Sequence, residues 1–283
     1  MHSVGVVGAG TMGAGIAHVA AAAGFETFLY DLSTEALESG LAKVSRGIQK
    51  SVEKGKIPAG AAPEILGRIH TRNTLEELGE CGIVVEAVIE EPAIKKEIFR
   101  RLSGAVRPET ILATNTSSLS VTALAAGIPH PGRVLGLHFF NPPVVMKLVE
   151  VVRCEETSAD AVERAVKFTT ALGKTPVIVR DTPGFIVNRI ARPFYGEALK
   201  LLDEGVTTVE TIDRIVKLEG GFRMGPFELM DLIGIDVNLA VTKSVFDQTF
   251  GEPRFRPHRI QQDMVNAGRL GRKTGRGFYD YTS

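Results

Sequence analysis

His138 and Glu150 stand twelve residues apart in two apolar segments, "VLGLHFFNP" and "MKLVEVV", and together they could move a proton. An imidazole titrates near neutral pH, and a carboxylate beside it fixes its tautomer and favours its charged form, as a general acid/base requires. A glutamate inside an apolar strand is costly to bury unless it is paired. A partner for Glu150 is therefore the economical expectation, and His138 is the candidate. His2, His18, His70, His130 and His258 occupy no comparable position. His138 falls near the C-terminal end of its segment, where α/β sheets gather ligands and where Asn141-Pro142-Pro143 ends the strand. A hydrogen-bonded core histidine is the ordinary alternative at such a place.

A second constellation lies at the start of the chain, in "VGVVGAGTMGAGIAHVAAAAG". Gly8, Gly10 and Gly13, with Thr11 and Met12 between them, fit G-x-G-x-x-G between an apolar run and an alanine-rich one. Three glycines in six positions weaken strand and helix alike, so backbone there must come close to something. In a strand–turn–helix context that something is a pyrophosphate at the helix N-terminus. Asp31 closes the next apolar segment 23 residues after Gly8, where a carboxylate accepts from ribose hydroxyls and repels the extra phosphate of NADP. The pair of features points to NAD, although Asp31 before "STEAL" would also serve as a plain helix cap.

These side chains need a scaffold, and the patterning supplies one. Residues 4–8 read as a buried strand, 12–23 as a helix and 26–30 as a second strand, which makes a βαβ unit. Helical patterns follow at about 34–54 and 61–67, strand-like runs at 82–89, 110–115 and 133–142, and a helix after Pro92. Alternation of this kind predicts a parallel sheet covered on both faces. After "KLVEVVR" and "TPVIVRD" the strand signal ends and helical periodicity takes over. The chain thus reads as α/β, with a Rossmann-like doubly wound sheet domain over 1–181 followed by an all-α domain over 182–283.

Composition narrows the partners. The 283 residues hold 33 Lys plus Arg and 33 Asp plus Glu, so no net charge favours nucleic acid or an anionic membrane. No apolar run is long enough to span a bilayer and no basic leader with a cleavage site is visible, which reads as cytoplasmic. Cys81 and Cys154 match no metal or disulfide spacing, so no metal is expected.

Taken together, "GAGTMGAGIA", "VVEAVIE", "NTSSLS", "GLHFFNPP", "MKLVEVV", "DTPGFIVNRI", "MGPFELMDLIGID" and "GRKTGRGFYDY" resemble, in this order, the L-3-hydroxyacyl-CoA dehydrogenase family, and within it the short 3-hydroxybutyryl-CoA dehydrogenase type. The resemblance covers essentially the whole chain. It implies interconversion of 3-hydroxyacyl and 3-ketoacyl thioesters of coenzyme A with NAD. It also implies a homodimer through the helical domain. Carried over residue by residue, it makes His138 and Glu150 the catalytic pair and Ser117 and Asn188 the groups that hold substrate. It places cofactor contacts at Glu90, Lys95, Asn115, Ser117, Asn141 and Lys273.

A helix opened by Pro183 would put Asn188 about one and a half turns in, pointing back toward the sheet. Coenzyme A brings phosphates that an electroneutral chain must meet locally. Arg46, Lys50 and Lys54 recur every fourth residue along one helix side, and the resemblance matches Ser51 and Lys54 to the family's coenzyme A contacts. Another two-domain NAD dehydrogenase, acting on a 3-hydroxy acid or a polyol phosphate, would share the glycine loop but has no reason to carry "HFFNP" with a glutamate twelve residues later. A non-enzymatic crystallin-like relative would not need His138, Glu150, Ser117 and Asn188 intact.

Overall fold

The apolar run, glycine loop and alanine-rich stretch become β1 (Ser3–Val7) and α1 (Thr11–Ala22) of a computed structural model that describes residues 2–55 and 57–282. The chain then runs through β2 (Glu26–Tyr30), α2 (Thr34–Glu53), α3 (Ala62–Gly67), β3 (Ile69–Arg72), β4 (Ile83–Glu86), α4 (Pro92–Ala105), β5 (Ile111–Thr114) and α5 (Val121–Ala125). It closes its first unit with β6 (Val134–Phe139), β7 (Leu148–Arg153), α6 (Ala159–Ala171) and β8 (Thr175–Arg180). The helix starts follow local chemistry. Ser33, Ser120 and Ser158 cap α2, α5 and α6 through their hydroxyl oxygens, and Pro92 opens α4 at a position whose N–H has no helical partner.

The eight strands form one sheet in the order β3-β2-β1-β4-β5-β6-β7-β8. All neighbours are parallel except β6 and β7, which run antiparallel. The purely parallel sheet suggested by the alternation is thus interrupted once, because only eight residues separate β6 from β7 and a parallel crossover needs a dozen or more. The strand order reverses at β1 and β4, so the crevice beyond their C-terminal ends is where this architecture receives a ligand.

Strand alternation sorts the side chains. Val4, Val6, Ile83, Val85, Ile111, Ala113, Leu135, Leu137, Phe139, Val149 and Val151 share one core with Ile16 of α1 and Phe168 of α6. Because side chains on a strand alternate between faces, Glu86, Thr114, His138 and Glu150 project from the opposite face. β3 was not expected: its sequence, Ile-His-Thr-Arg, carries no apolar alternation, and it survives as a short edge strand beside β2.

The second unit, from Thr182 onward, contains α7 (Val187–Asp203), α8 (Val209–Leu218), α9 (Pro226–Ile233), α10 (Ile235–Gln248) and α11 (Arg259–Asn266). Its core gathers Tyr195, Leu199, Ile212, Phe227, Met230 and Ile235. Pro183 does not open a helix. Gly184 and Phe185 both adopt positive φ, which an α-helix excludes, so α7 begins only at Val187 and Asn188 is its second residue. The C-terminal "GRGFYDY" is held by Asp231, a fully buried carboxylate that accepts from the backbone N–H groups of Phe278 and Tyr279 at 3.0 Å each and from the Tyr281 hydroxyl at 3.1 Å. Gly271 and Gly277 lie so close to Asp231 that a Cβ on either would overlap it.

Candidate active site

The antiparallel register pairs His138 with Glu150 directly across β6 and β7. The imidazole Nδ1 lies 2.7 Å from the Glu150 carboxylate, with His138 5% and Glu150 1% exposed. A carboxylate only accepts, so Nδ1 carries the hydrogen and donates it, which leaves Nε2 as the acceptor nitrogen of the ring. The Phe140 ring packs on the imidazole with centroids 4.4 Å apart and covers one side of it. A base held by its neighbour in one tautomer and one orientation is the arrangement that proton abstraction from a hydroxyl requires.

The glycine loop separates into three distinct requirements. Gly8 has φ +103°, a conformation other residues rarely adopt, and its α-carbon faces the backbone of Ala87 beyond β4. Gly13 packs against the carbonyl oxygen of Gly8 so closely that any side chain would overlap it. Gly10 has an ordinary negative φ, and a Cβ there would meet no protein atom within 4 Å. The fold itself makes no demand on Gly10, but a pyrophosphate approaching the N-terminus of α1 does. Thr11 and Met12 form the first turn of α1. Asp31 follows β2 with its carboxylate fixed by the N–H of Ala9 at 2.7 Å and of Ser33 at 3.1 Å. An aspartate tied to the loop itself has lone pairs left for ribose hydroxyls, so these residues fit a dinucleotide.

Beyond β4 and β5 lies a network that sequence reasoning caught only in part. Lys95, anticipated as a cofactor contact, is 1% exposed, and its ammonium sits 2.6 Å from Glu86 and 3.3 Å from Glu90. Glu90 accepts through its other oxygen from the Thr116 hydroxyl at 2.5 Å, the Ser117 N–H at 2.9 Å and the Ser117 hydroxyl at 3.3 Å. Three of the anticipated residues, Lys95, Glu90 and Ser117, are thus brought together. Glu86 was missed. Its signal was akin to the one that revealed Glu150, an acid within an apolar run, here "GIVVEAVI".

Asn115 accepts the N–H of Phe139 at 2.9 Å and ties the end of β5 to the end of the His138 strand. Asn141 follows at the exposed end of β6, ahead of a cis peptide bond to Pro142. Ser51 donates to the Gly47 carbonyl of its own helix at 2.9 Å. Arg46 and Lys50 on α2, and Lys54 just past its end, are exposed and carry no ion pair among the described residues. In the helical unit, the carbonyl of Asn188 accepts from Arg192 at 3.0 Å, and Lys273 pairs with Asp236 at 2.6 Å.

Two family models match the chain. One, described as 3-hydroxyacyl-CoA dehydrogenase, NAD binding domain, covers residues 3–182, and the other, the C-terminal domain of that enzyme, covers residues 184–281. NAD is accordingly the cofactor of the first unit. The 3-hydroxyadipyl-CoA dehydrogenase of Escherichia coli is 48% identical over 281 residues, 99% of this chain, and the chain spans 59% of that protein's length. The 3-hydroxybutyryl-CoA dehydrogenase of Bradyrhizobium diazoefficiens is 43% identical over 278 residues, 98% of this chain and 94% of its own. The crystal structure of (S)-3-hydroxybutyryl-CoA dehydrogenase from Ralstonia eutropha superposes with a TM-score of 0.96 at 40% identity, with 100% of both chains covered.

Proposed function

The chain belongs to the 3-hydroxyacyl-CoA dehydrogenase family, and from that membership we propose that it interconverts (S)-3-hydroxyacyl-CoA, with 3-hydroxybutyryl-CoA as the representative substrate, and the corresponding 3-ketoacyl-CoA. The observation that carries the reading is the buried His138–Glu150 pair, 2.7 Å apart, within an NAD-binding domain.

NAD, held by the glycine loop and Asp31, would supply a nicotinamide able to accept hydride from the carbon bearing the hydroxyl. His138 takes the hydroxyl proton on Nε2 as hydride leaves, and Glu150 stabilises the imidazolium that results. Ser117 and Asn188 hydrogen-bond the substrate oxygens and hold the reacting carbon in place. Asp31 selects NAD over NADP by charge. Ser51 and Lys54, with Arg46 and Lys50 on the same side of α2, meet the phosphates of coenzyme A.

No described helix is long and apolar enough to cross a membrane, in keeping with a cytoplasmic enzyme acting on a dissolved thioester. The assembly that fits this reading is a homodimer through the helical unit, where Ile190, Leu218 and Phe250 are 70%, 67% and 99% exposed. Following NADH absorbance with acetoacetyl-CoA and with longer 3-ketoacyl-CoA substrates tests the activity. NADH consumption is expected, and none with any of these substrates would overturn the reading.

A further inference from the structure

Glu86 ends β4 in the interior of the sheet, between β1 and β5, and is fully buried. Its Oε1 accepts from the Lys95 ammonium at 2.6 Å and from the Val88 N–H at 2.7 Å, and its Oε2 accepts from the Thr114 hydroxyl at 2.7 Å. It stands in register with Thr114 on β5, on the same sheet face as His138 and Glu150. Burying two opposite charges this completely is a poor route to stability, since a well-packed apolar pair of similar volume usually does as well or better. The pair must be read by what it does to the next residue.

That residue is Glu90. Lys95 lies between two carboxylates but sits nearer Glu86 than Glu90, 2.6 against 3.3 Å. Glu90 in turn orders the turn after β5. It holds Thr116 and Ser117 through Oε1, while the Thr116 oxygen accepts from the N–H of Leu119 at 2.8 Å. We infer that Glu86 is a positioning residue for the dehydrogenase reaction: by taking the charge of Lys95, it leaves the Glu90 carboxylate to the Thr116–Ser117 turn, and so sets where Ser117 meets substrate. Neutralising Glu86 would leave Glu90 as the only carboxylate paired with a buried ammonium among the described residues. Lys95 would then draw Glu90 toward itself and away from Ser117.

The kinetic part of this inference rests on the proposed substrate role of Ser117, but the geometric part does not, and the experiment separates them. In the full-length protein, Glu86→Gln keeps the size and an acceptor for Val88 while removing the charge. Amide hydrogen exchange at Ser117 and Leu119 should quicken in Glu86→Gln, and adding Lys95→Met, which removes the uncompensated cation, should return protection. The double variant also covers the case in which the single one does not fold. With acetoacetyl-CoA and NADH, Glu86→Gln should lower kcat up to roughly 100-fold, the scale of a misplacement near 1 Å. Combined with Ser117→Ala, the loss should be no greater than that of Ser117→Ala alone, because both changes remove one interaction. Unchanged exchange at Ser117, or no recovery of protection in the double variant, would overturn the inference whether or not turnover is seen. Multiplying kinetic losses would likewise assign Glu86 a purely structural role. Absent turnover in the wild type, with the exchange pattern as expected, would sink the proposed activity and leave the positioning of Ser117 standing.

Discussion

Replacing Glu150 by Gln tests the site at its most exposed assumption. The change preserves shape and one acceptor oxygen, so β7 should stay in register and NADH should still bind at the glycine loop. What disappears is a full negative charge 2.7 Å from the His138 ring nitrogen, in surroundings where neither residue is more than 5% exposed. Two unit charges about 4 Å apart attract by about 4 kcal/mol at an effective dielectric near 20. The imidazolium is only partly formed in the transition state. With about half its charge developed, the loss is about 2 kcal/mol, or roughly 30-fold in kcat. The figure is a lower bound, because an amide that turns its NH2 toward Nδ1 would reverse the tautomer of the base and add a further penalty. The assay is steady-state NAD reduction with saturating (S)-3-hydroxybutyryl-CoA, the direction in which the imidazolium forms, beside a fluorescence titration of NADH. A folded Glu150→Gln variant that binds NADH normally and keeps kcat within about threefold of wild type would refute the electrostatic reasoning.

Asp31→Ser should narrow the preference for NADH over NADPH by removing the charge that repels the second phosphate; equal wild-type efficiency with both cofactors would contradict this. Burial, and then the nearby Lys174, holds the His18 imidazole below its ordinary value of 6.5, so the folded chain resists a proton that the unfolded chain accepts. Stability from this residue is therefore complete above about pH 6.5 and falls as pH drops toward the folded-state value, by up to about 1.4 kcal/mol per pH unit. His18→Asn should flatten the fall of Tm between about pH 7.5 and about pH 5.5, and an identical fall in both proteins would refute it. Asp231→Asn turns one acceptor oxygen of the tail clamp into a donor facing other donors, and should cost the helical unit about 3 kcal/mol in urea unfolding; a loss below about 1 kcal/mol would show that the tail is held elsewhere. Sedimentation at micromolar concentration should give twice the chain mass, and a single species at the chain mass would remove the homodimer.

The His138–Glu150 pair is legible in the sequence because burying an acid among Val and Leu is expensive enough to demand a partner, and few partners lie within reach. The same reasoning applied to Asp231 in "FELMDLIG" would have found the tail clamp, whose acid is as conspicuous among apolar neighbours. Glu86 was harder, since an acid at the end of a strand is also an ordinary way to stop one. Only the pairing of β4 with β5, which brings Thr114 alongside, and the first turn of α4, which brings Lys95, make it a network. Strand β3 carries no period at all, being held by its neighbour rather than by its own pattern. The start of α7 depends on positive φ at Gly184 and Phe185, and a phenylalanine gives no warning of that.

The antiparallel ladder that joins His138 to Glu150 also determines which changes of length evolution can tolerate here. His138 and Glu150 are fixed by register across two strands, whereas the eight residues between those strands lie outside the ladder. An insertion in that connection would leave the dyad intact, provided the loop could still reach its anchors, where Lys174 donates to the carbonyls of Pro143 and Met146. An insertion or deletion of one residue inside β6 or β7 would send one partner to the opposite face of the sheet. Related chains that retain the chemistry should therefore vary in length between Phe140 and Lys147 and keep a constant count within each strand.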